Sequence, residues 1–200
     1  MAPRARIQRF VASVFSARRA AANPSELTVE RIHDEHADFV WRSLQRLGVR
    51  EPDLEDALQE AFIVVHRKLG TFDGTSRITT WLFGICLRVA AAQRRRAHVR
   101  RERASDEVEG EPDPGPGTNP EATALATEAR ERLARVLDAL SLEKRAVLVM
   151  FEVEEMSAGE IASVLGVPVG TVYSRLSAAR AEFREALTRL ERRERHGETS

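Results

Sequence analysis

Hydroxyl and guanidinium side chains recur every few residues in the segment GVPVGTVYSRLSAAR, residues 166–180. If the segment is a helix, that spacing places them on its outer face. Hydroxyl and guanidinium groups hydrogen-bond the edges of bases in the major groove of DNA, and arginines further along such a helix usually meet phosphates. The candidate DNA contacts of this segment are Thr171, Tyr173, Ser174, Arg175, Ala178 and Arg180.

The residues around this segment predict two helices and the turn between them. Ser157 and Glu160 form an S-x-x-E capping box at the start of a short helix. Gly166 can end that helix, and Pro168 suits the threshold of the next, where its missing N–H costs nothing. Two helices joined by such a turn make a helix-turn-helix. The alternative is a helical hairpin with a solvated basic face, but the joint occurrence of the cap, the small Ala162 and the turn glycine favours the helix-turn-helix.

His33 and His36 are a second candidate for chemistry, because they lie one helical turn apart in the segment HDEH. A metal site needs a third ligand, and none follows at a helpful spacing, which favours an exposed helix face. The sequence also has no phosphate-binding glycine loop and no G-x-S-x-G elbow. Cys86, the single cysteine, lies in an apolar run and is predicted to be a buried small hydrophobe rather than a nucleophile. We therefore predict no catalytic residue, no metal site, no cofactor and no small-molecule substrate.

Charge is sharply segmented along the chain, although the formal net charge is zero. Residues 77–103 contain eight arginines and one acid, whereas residues 105–121 contain six acids, no base, four prolines and three glycines. The acidic segment cannot bury enough apolar surface to offset its ordering entropy, so it predicts a flexible linker at residues 104–121. The linker separates two predicted domains, residues 25–103 and residues 122–192.

The two ends of the chain, residues 1–24 and 193–200, are predicted to be disordered. The first 22 residues contain five arginines and no acid. This composition resembles an organelle-targeting presequence, but we favour a basic tail near nucleic acid because the motifs below resemble bacterial proteins. The apolar runs are far shorter than the roughly 18 residues that a membrane span needs. A single cysteine fits a reducing compartment, so we expect a cytoplasmic protein that does not insert into membranes.

Apolar residues at spacings of three and four predict helices in both domains, and no sustained period-two pattern indicates strands. Gly48 and Ser141 are expected to end one helix and to cap another. The predicted fold is therefore all-α, with two small helical domains joined by a flexible acidic linker rich in proline and glycine. The predicted core comprises Ile32, Phe39, Val40, Leu44, Leu47, Leu54, Leu58, Ala61, Phe62, Val65, Leu69, Leu133, Val136, Leu137, Leu140, Ile161, Leu165, Val172 and Leu176.

Two motif groups resemble the extracytoplasmic-function sigma factors, bacterial initiation subunits of RNA polymerase. Region two of that family is similar to DLEDALQEAFIVVHRKLGTFDGTSRITTWLFGICLRVAAAQRRR, and region four is similar to LDALSLEKRAVLVMFEVEEMSAGEIASVLGVPVGTVYSRLSAARAEFREAL. Regulators of other families share the second group, which leaves a stand-alone helix-turn-helix regulator as the alternative. Both groups in order across a linker favour the sigma factor, because a plain regulator needs no polymerase-docking helix.

The resemblance implies a role for each region. In region two, Asp56, Gln59 and Glu60 would dock on the clamp helices of the polymerase β′ subunit. The melted minus-ten promoter element would meet Phe72, Arg77, Thr79, Thr80, Arg88, Arg95 and Arg96, and Arg94, Arg95 and Arg96 would follow its phosphates. Trp81 is expected to pack in the core rather than to stack on a base.

Region four would read the minus-thirty-five element with the residues of the opening segment, while Leu142 to Val164 would face the polymerase β flap. An anti-sigma protein and a place at the nucleoid are further implications of the resemblance. Leu87, Arg88, Ala92 and Ala178 depart from the residues that the family often carries, so the preferred promoter sequence stays open.

Overall fold

A computed structural model describes residues 27–103 and 120–197 of the chain. The predicted basic extension and most of the predicted linker, residues 104–119, lie outside the described residues. The secondary structure is helical, as predicted, and no strand occurs within those two ranges. Residues 27–103 belong to one compact unit and residues 120–197 to another. None of the helices in the described part is long and apolar enough to cross a bilayer.

The first unit consists of three helices, each of which packs against the other two. Helix α1 spans Val29–Arg46, α2 spans Leu54–Lys68 and α3 spans Ile78–Arg103. Single 3-10 turns, Glu51–Asp53 and Leu69–Thr71, flank α2.

Local signals fix the ends of α1. The hydroxyl of Thr28 caps the helix by accepting a hydrogen bond from the backbone N–H of Arg31 at 3.2 Å. Gly48 follows the last turn with φ of 86°, the left-handed conformation that glycine adopts without steric cost. The predicted stop at Gly48 is therefore confirmed.

The core of the first unit is formed by the apolar faces of its helices, as the spacing predicted. Cys86 is fully buried on α3, with its sulfur 4.0 Å from the carbonyl oxygen of Val40, which confirms it as a packed core residue. Four residues of the predicted core, Phe39, Leu58, Phe62 and Leu69, are only half-buried. The fully packed positions include Ile32, Val40, Leu44, Leu47, Leu54, Ala57, Ala61, Val65, Leu82, Phe83 and Ile85.

The second unit consists of four helices. Helix α4 spans Pro120–Asp138, α5 spans Leu142–Glu152, α6 spans Ala158–Leu165 and α7 spans Val169–Gly197. The long helix α7 packs against each of the other three. The core of the second unit includes the predicted residues Leu133, Val136, Leu137, Leu140, Ile161, Val172 and Leu176.

Polar contacts hold the ends of these helices. Ser141 caps α5, as predicted, by accepting a hydrogen bond from the backbone N–H of Lys144. Arg145 is buried, and its Nε donates to the carbonyl oxygen of Leu137 in the last turn of α4 at 2.9 Å. Helix α7 continues to Gly197, although the sequence predicted a disordered tail from residue 193. An ion pair of 2.8 Å between Arg132 of α4 and Glu194 anchors these final turns.

Candidate nucleic-acid interface

Helices α6 and α7 form the helix-turn-helix that the sequence predicted. The Ser157 hydroxyl accepts from the backbone N–H of Glu160 at 3.2 Å, while the Glu160 carboxylate accepts from the backbone N–H of Ser157 at 2.8 Å. Gly166 closes α6 with φ of 64° and ψ of 37°, a conformation in which a β-carbon would be strained. Pro168 accepts the first hydrogen bond of α7, from the N–H of Thr171 at 2.9 Å.

The inner face of α7 is locked into the second unit. Val172, Leu176, Ala179 and Phe183 recur at helical spacing, and each has at most 2% of its surface exposed. They pack with Ile161 of α6, which is also fully buried. Because this face is packed in the core, helical geometry determines which residues of the first turns of α7 lie on its outer face.

The predicted DNA contacts on α7 fall into two rows rather than one. Thr171, Arg175 and Ala178, spaced by four and three residues, form the Arg175 row, and all three are half-buried. Val169, Tyr173 and Arg180, spaced by four and seven, form the Tyr173 row on the other side of the outer face. Ser174 is exposed between the rows, and its hydroxyl donates to the carbonyl oxygen of Thr171 at 3.0 Å.

Arg180 is held inside the second unit by an ion pair. Its Nε and one terminal nitrogen donate to one carboxylate oxygen of Glu152, at 2.8 and 2.6 Å. The Glu152 side chain is only 3% exposed, and the guanidinium also lies 5.2 Å from the centre of the Phe151 ring. A buried carboxylate needs such a partner, since leaving it unpaired is costly. The predicted DNA contact of Arg180 stays a prediction, and this ion pair fixes α7 against α5.

Arg175 differs from Arg180. Within the two described ranges, no hydrogen bond or ion pair engages its guanidinium. Its five N–H donors therefore remain available to a partner. The predicted contact of Arg175 with a base edge stays a prediction.

In the first unit, the loop between α2 and α3 is fixed by a turn at Asp73. The Asp73 carboxylate accepts from the backbone N–H of Thr75 at 3.0 Å and from its hydroxyl at 2.8 Å. The backbone hydrogen bond from Thr75 lowers the pKa of Asp73, and the Thr75 hydroxyl adds to the effect. Gly74 takes φ of 72° within this turn. The loop thus has a set conformation at the predicted minus-ten site.

The predicted minus-ten residues at the start of α3 differ in accessibility. The rings of Phe72 and Trp81 lie 5.4 Å apart at a tilt of 52°, and both side chains are half-buried. Thr79 is half-buried, whereas Thr80 is 3% exposed, and its hydroxyl finds no hydrogen-bond partner within the described residues. The Phe72 and Trp81 rings therefore contact each other, while Thr80 lies in the core.

The predicted basic residues of this site do not form one uniform surface. Arg77 is half-buried, whereas Arg88 and Arg95 are exposed and lie two turns apart on one row of α3. Arg96 forms a forked pair with Glu60 of α2, at 2.8 and 3.3 Å, and this hydrogen bonding raises the pKa of Arg96. This pair joins a predicted DNA contact to a predicted polymerase contact.

The outer face of α2 carries the three predicted docking residues and one that sequence reasoning missed. Asp56 and Gln59 are exposed, and Glu60 is half-buried beside Arg96. Ile63 follows Gln59 by four residues, and 51% of its surface is exposed. We define Asp56, Gln59 and Ile63 as the docking row. The sequence could have indicated this exposed residue, because Ile63 is a large apolar residue that lies outside the apolar stripe of α2.

The two histidines of α1 do not form a metal site with their neighbours. The His33 ring lies against Phe62 with centroids 4.8 Å apart, and burial lowers the pKa of His36. No group of three potential metal ligands occurs among the residues that the structure describes.

Two solved structures share this fold. The sigma factor RpoE of Bartonella quintana, solved in complex with the anti-sigma factor NepR, superposes with a TM-score of 0.60 at 19% identity, covering 80% of this chain and 96% of that one. CnrH, solved in complex with the cytosolic domain of CnrY, gives a TM-score of 0.57 at 23% identity, covering 90% and 96%. At these identities the likeness establishes the fold alone.

Sequence comparison identifies the family. Residues 32–101 match the family model for Sigma-70 region 2, and residues 130–183 match that for Sigma-70, region 4. The chain is 37% identical over 161 residues to the ECF RNA polymerase sigma factor SigE of Mycolicibacterium smegmatis, a match to 78% of this chain and 60% of that protein. It is 34% identical over 160 residues to the ECF RNA polymerase sigma-E factor of Escherichia coli K12, a match to 76% of this chain and 82% of that protein. The chain therefore belongs to the extracytoplasmic-function (ECF) group of the sigma-70 family of RNA polymerase sigma factors.

Proposed function

We propose that this chain binds core RNA polymerase and directs initiation at promoters with two separated elements. Residues 25–103 take the melted minus-ten element, residues 122–192 take the minus-thirty-five element, and residues 104–121 connect the two. The observation that supports this most directly is the joint presence of two features in one chain. One unit has a helix-turn-helix with an open outer face, and the other has the docking row on α2 together with exposed arginines on α3.

At the upstream element, the outer face of α7 enters the major groove. The Arg175 row supplies a guanidinium that is unpaired within residues 27–103 and 120–197 and can pair with the two acceptors of a guanine. Ser174 lies between the rows and can accept a hydrogen bond from the exocyclic amino group of an adenine or a cytosine, since its hydroxyl already donates internally. Arg180 positions the helix through Glu152 and reaches DNA only at its flank.

At the minus-ten element, separated strands meet the loop from Phe72 to Arg77 and the start of α3. The Asp73 turn holds the loop in one conformation, which lowers the ordering cost of capturing a base. The row of Arg88 and Arg95 then follows the phosphates of the strand.

Polymerase docking uses the docking row and Glu60. The acidic and amide groups of Asp56 and Gln59 complement a basic partner surface, and Ile63 adds an apolar anchor that is otherwise exposed to water. In the second unit, the stretch from Leu142 to Val164 meets the β flap.

Regulation follows the family as well. The B. quintana neighbour was captured with an anti-sigma factor, and we propose a protein partner of that class for this chain. In this proposal the chain acts in the cytoplasm at the nucleoid, needs no cofactor and has no catalytic activity of its own, because the polymerase supplies the chemistry.

Reconstituted transcription with core polymerase tests the proposal. A promoter library incubated with core enzyme and the chain should give defined start sites, and core enzyme alone should give none. Asp56→Arg, which reverses a charge in the docking row, should lower the affinity for core at least tenfold. Asp34→Arg makes the same charge change on the outer face of α1, where Asp34 is largely exposed, and should leave that affinity unchanged.

The stand-alone regulator makes the opposite prediction. It would bind duplex promoter tightly without core polymerase, and adding core would select no start site. That pair of results would overturn the proposed function.

A further inference from the structure

The first two turns of α7 expose two apolar side chains. Val169 is 42% exposed and Tyr173 is 58% exposed, and together with Ile63 they are the exposed large hydrophobic residues of the described ranges. They are four residues apart and therefore adjacent on the helix surface. We define Val169 and Tyr173 as the apolar edge of α7.

Packing within the second unit does not account for the apolar edge. The inner face of α7 is filled by Val172 and Leu176, which are at most 2% exposed. Across the described ranges, the Tyr173 hydroxyl forms no hydrogen bond and its ring stacks on no other ring. A tyrosine exposed at the start of the second helix of a helix-turn-helix is thus available to a partner.

Among the described residues, no unpaired cation lies on the Tyr173 row within two turns of the apolar edge. Arg180 completes the row, but its guanidinium is bound to Glu152 and lies against Phe151. A guanine contact on this side would need such a guanidinium. The available guanidinium, that of Arg175, lies on the other row.

Apolar groups can distinguish one base in the major groove. Only thymine presents a methyl group there, at C5, and apolar side chains contact it. We infer that the apolar edge reads thymine methyl groups on one side of the upstream element, while the Arg175 row reads the other side by hydrogen bonding. This inference deepens the proposed function and rests on it, because it requires α7 to enter the major groove of the minus-thirty-five element.

Replacing thymine by deoxyuridine tests the inference, since this removes the methyl group and leaves the base-pairing groups unchanged. The upstream element is first selected from a library randomised in that region, using core polymerase with the intact chain. Each thymine of the selected duplex is then replaced in turn. At the thymines that face the apolar edge, the wild-type holoenzyme should lose about fourfold in affinity per methyl group.

Three variants make the outcome specific. Tyr173→Ala should reduce the difference in affinity between thymine and deoxyuridine duplexes at those positions, the remainder being due to Val169, and Tyr173→Phe should behave as wild type because it keeps the ring. Arg184→Ala, further along α7, should weaken binding by the same factor on both duplexes. Circular dichroism melting of Tyr173→Ala should match wild type, since the side chain is exposed.

Two results would overturn the inference. One is a selected element without a methyl-sensitive thymine, and the other is an equal loss for Tyr173→Ala on both duplexes, which would indicate a sugar or phosphate contact. A failure of the proposed function looks different, because the holoenzyme would then select no upstream element with any variant.

Discussion

Two predicted DNA contacts on α3, Arg88 and Arg95, are more accessible than the two predicted arginine contacts on α7. Arg88 and Arg95 are exposed along one row of α3 in the first unit. In the second unit, Arg180 is bound to the buried carboxylate of Glu152, and Arg175 is half-buried. The first unit thus exposes a row of cations, whereas in the described residues the first turns of α7 carry the unpaired guanidinium of Arg175 and an apolar edge.

This difference suits one chain to two kinds of DNA contact, one that contributes affinity for any sequence and one that selects a sequence. Phosphate contacts give binding that weakens with salt and is indifferent to sequence, whereas base-edge contacts discriminate between sequences. The contrast predicts that substitutions in α7 change stability or sequence preference, while substitutions in α3 change the salt dependence.

The largest effect should come from breaking the contact that fixes α7. Arg180→Ala leaves Glu152 buried without its partner and should destabilise the second unit by about 2–4 kcal/mol, somewhat less than for a fully buried pair because Arg180 is partly exposed. Both tryptophans, Trp41 and Trp81, lie in the first unit, so denaturation followed by tryptophan fluorescence should be unchanged. Denaturation followed by circular dichroism, which reports both units, should shift.

The matched control for that experiment is Arg184→Ala. Its Nε donates to the carbonyl oxygen of Arg180 from an exposed position on the same helix. Loss of that contact should change the free energy of unfolding by no more than about 0.5 kcal/mol. If the two variants were equally stable, the Arg180–Glu152 pair would not be what fixes α7.

A smaller effect is expected at the available guanidinium of α7. Arg175→Ala should cost about 1–3 kcal/mol of binding at the upstream element and relax the preference at one base pair. Holoenzyme binding to a set of single-base-pair variants of the element measures both quantities. An equal loss on every sequence would assign Arg175 to a phosphate and weaken the contrast between the units.

The smallest effect is expected on α3. Arg88→Ala and Arg95→Ala should each reduce the slope of log K against log salt by about 0.7 for a single-stranded minus-ten oligonucleotide bound to holoenzyme. Arg67→Ala, an exposed arginine on α2, is the control and should leave the slope unchanged. Slopes that match wild type for both α3 variants would show that charge on this row does not follow the strand.

Residues that act on their near neighbours were predictable from the sequence. Ser157, Gly166 and Gly48 specify helix ends through contacts within a few residues, and the structure has the predicted cap or turn at each. The helix-turn-helix followed from the same local signals. The length of α7 did not, because Glu194 is held by Arg132, far away in the chain.

The partners of charged side chains were beyond sequence reasoning. Arg180 pairs with a residue 28 positions earlier and Arg96 with one 36 positions earlier, so only the packing of the helices brings them together. Helical spacing showed which residues share a side of α7. It could not show that Arg180, one of the predicted DNA contacts, pairs with Glu152. Exposure of Ile63 and Tyr173 likewise depends on which faces the neighbouring helices cover.

The forked pair between Glu60 and Arg96 has a consequence for genetics. Under the proposed function, removing the Glu60 carboxylate alters the face of α2 that meets polymerase and at the same time releases Arg96 of α3. The phenotype of a defective Glu60 allele therefore does not distinguish a loss of polymerase binding from a loss of promoter binding. A second substitution at Arg96 would not restore either surface to its original charge. Within the described ranges Asp56 makes no side-chain contact of this kind, so alleles at Asp56 report on docking by itself.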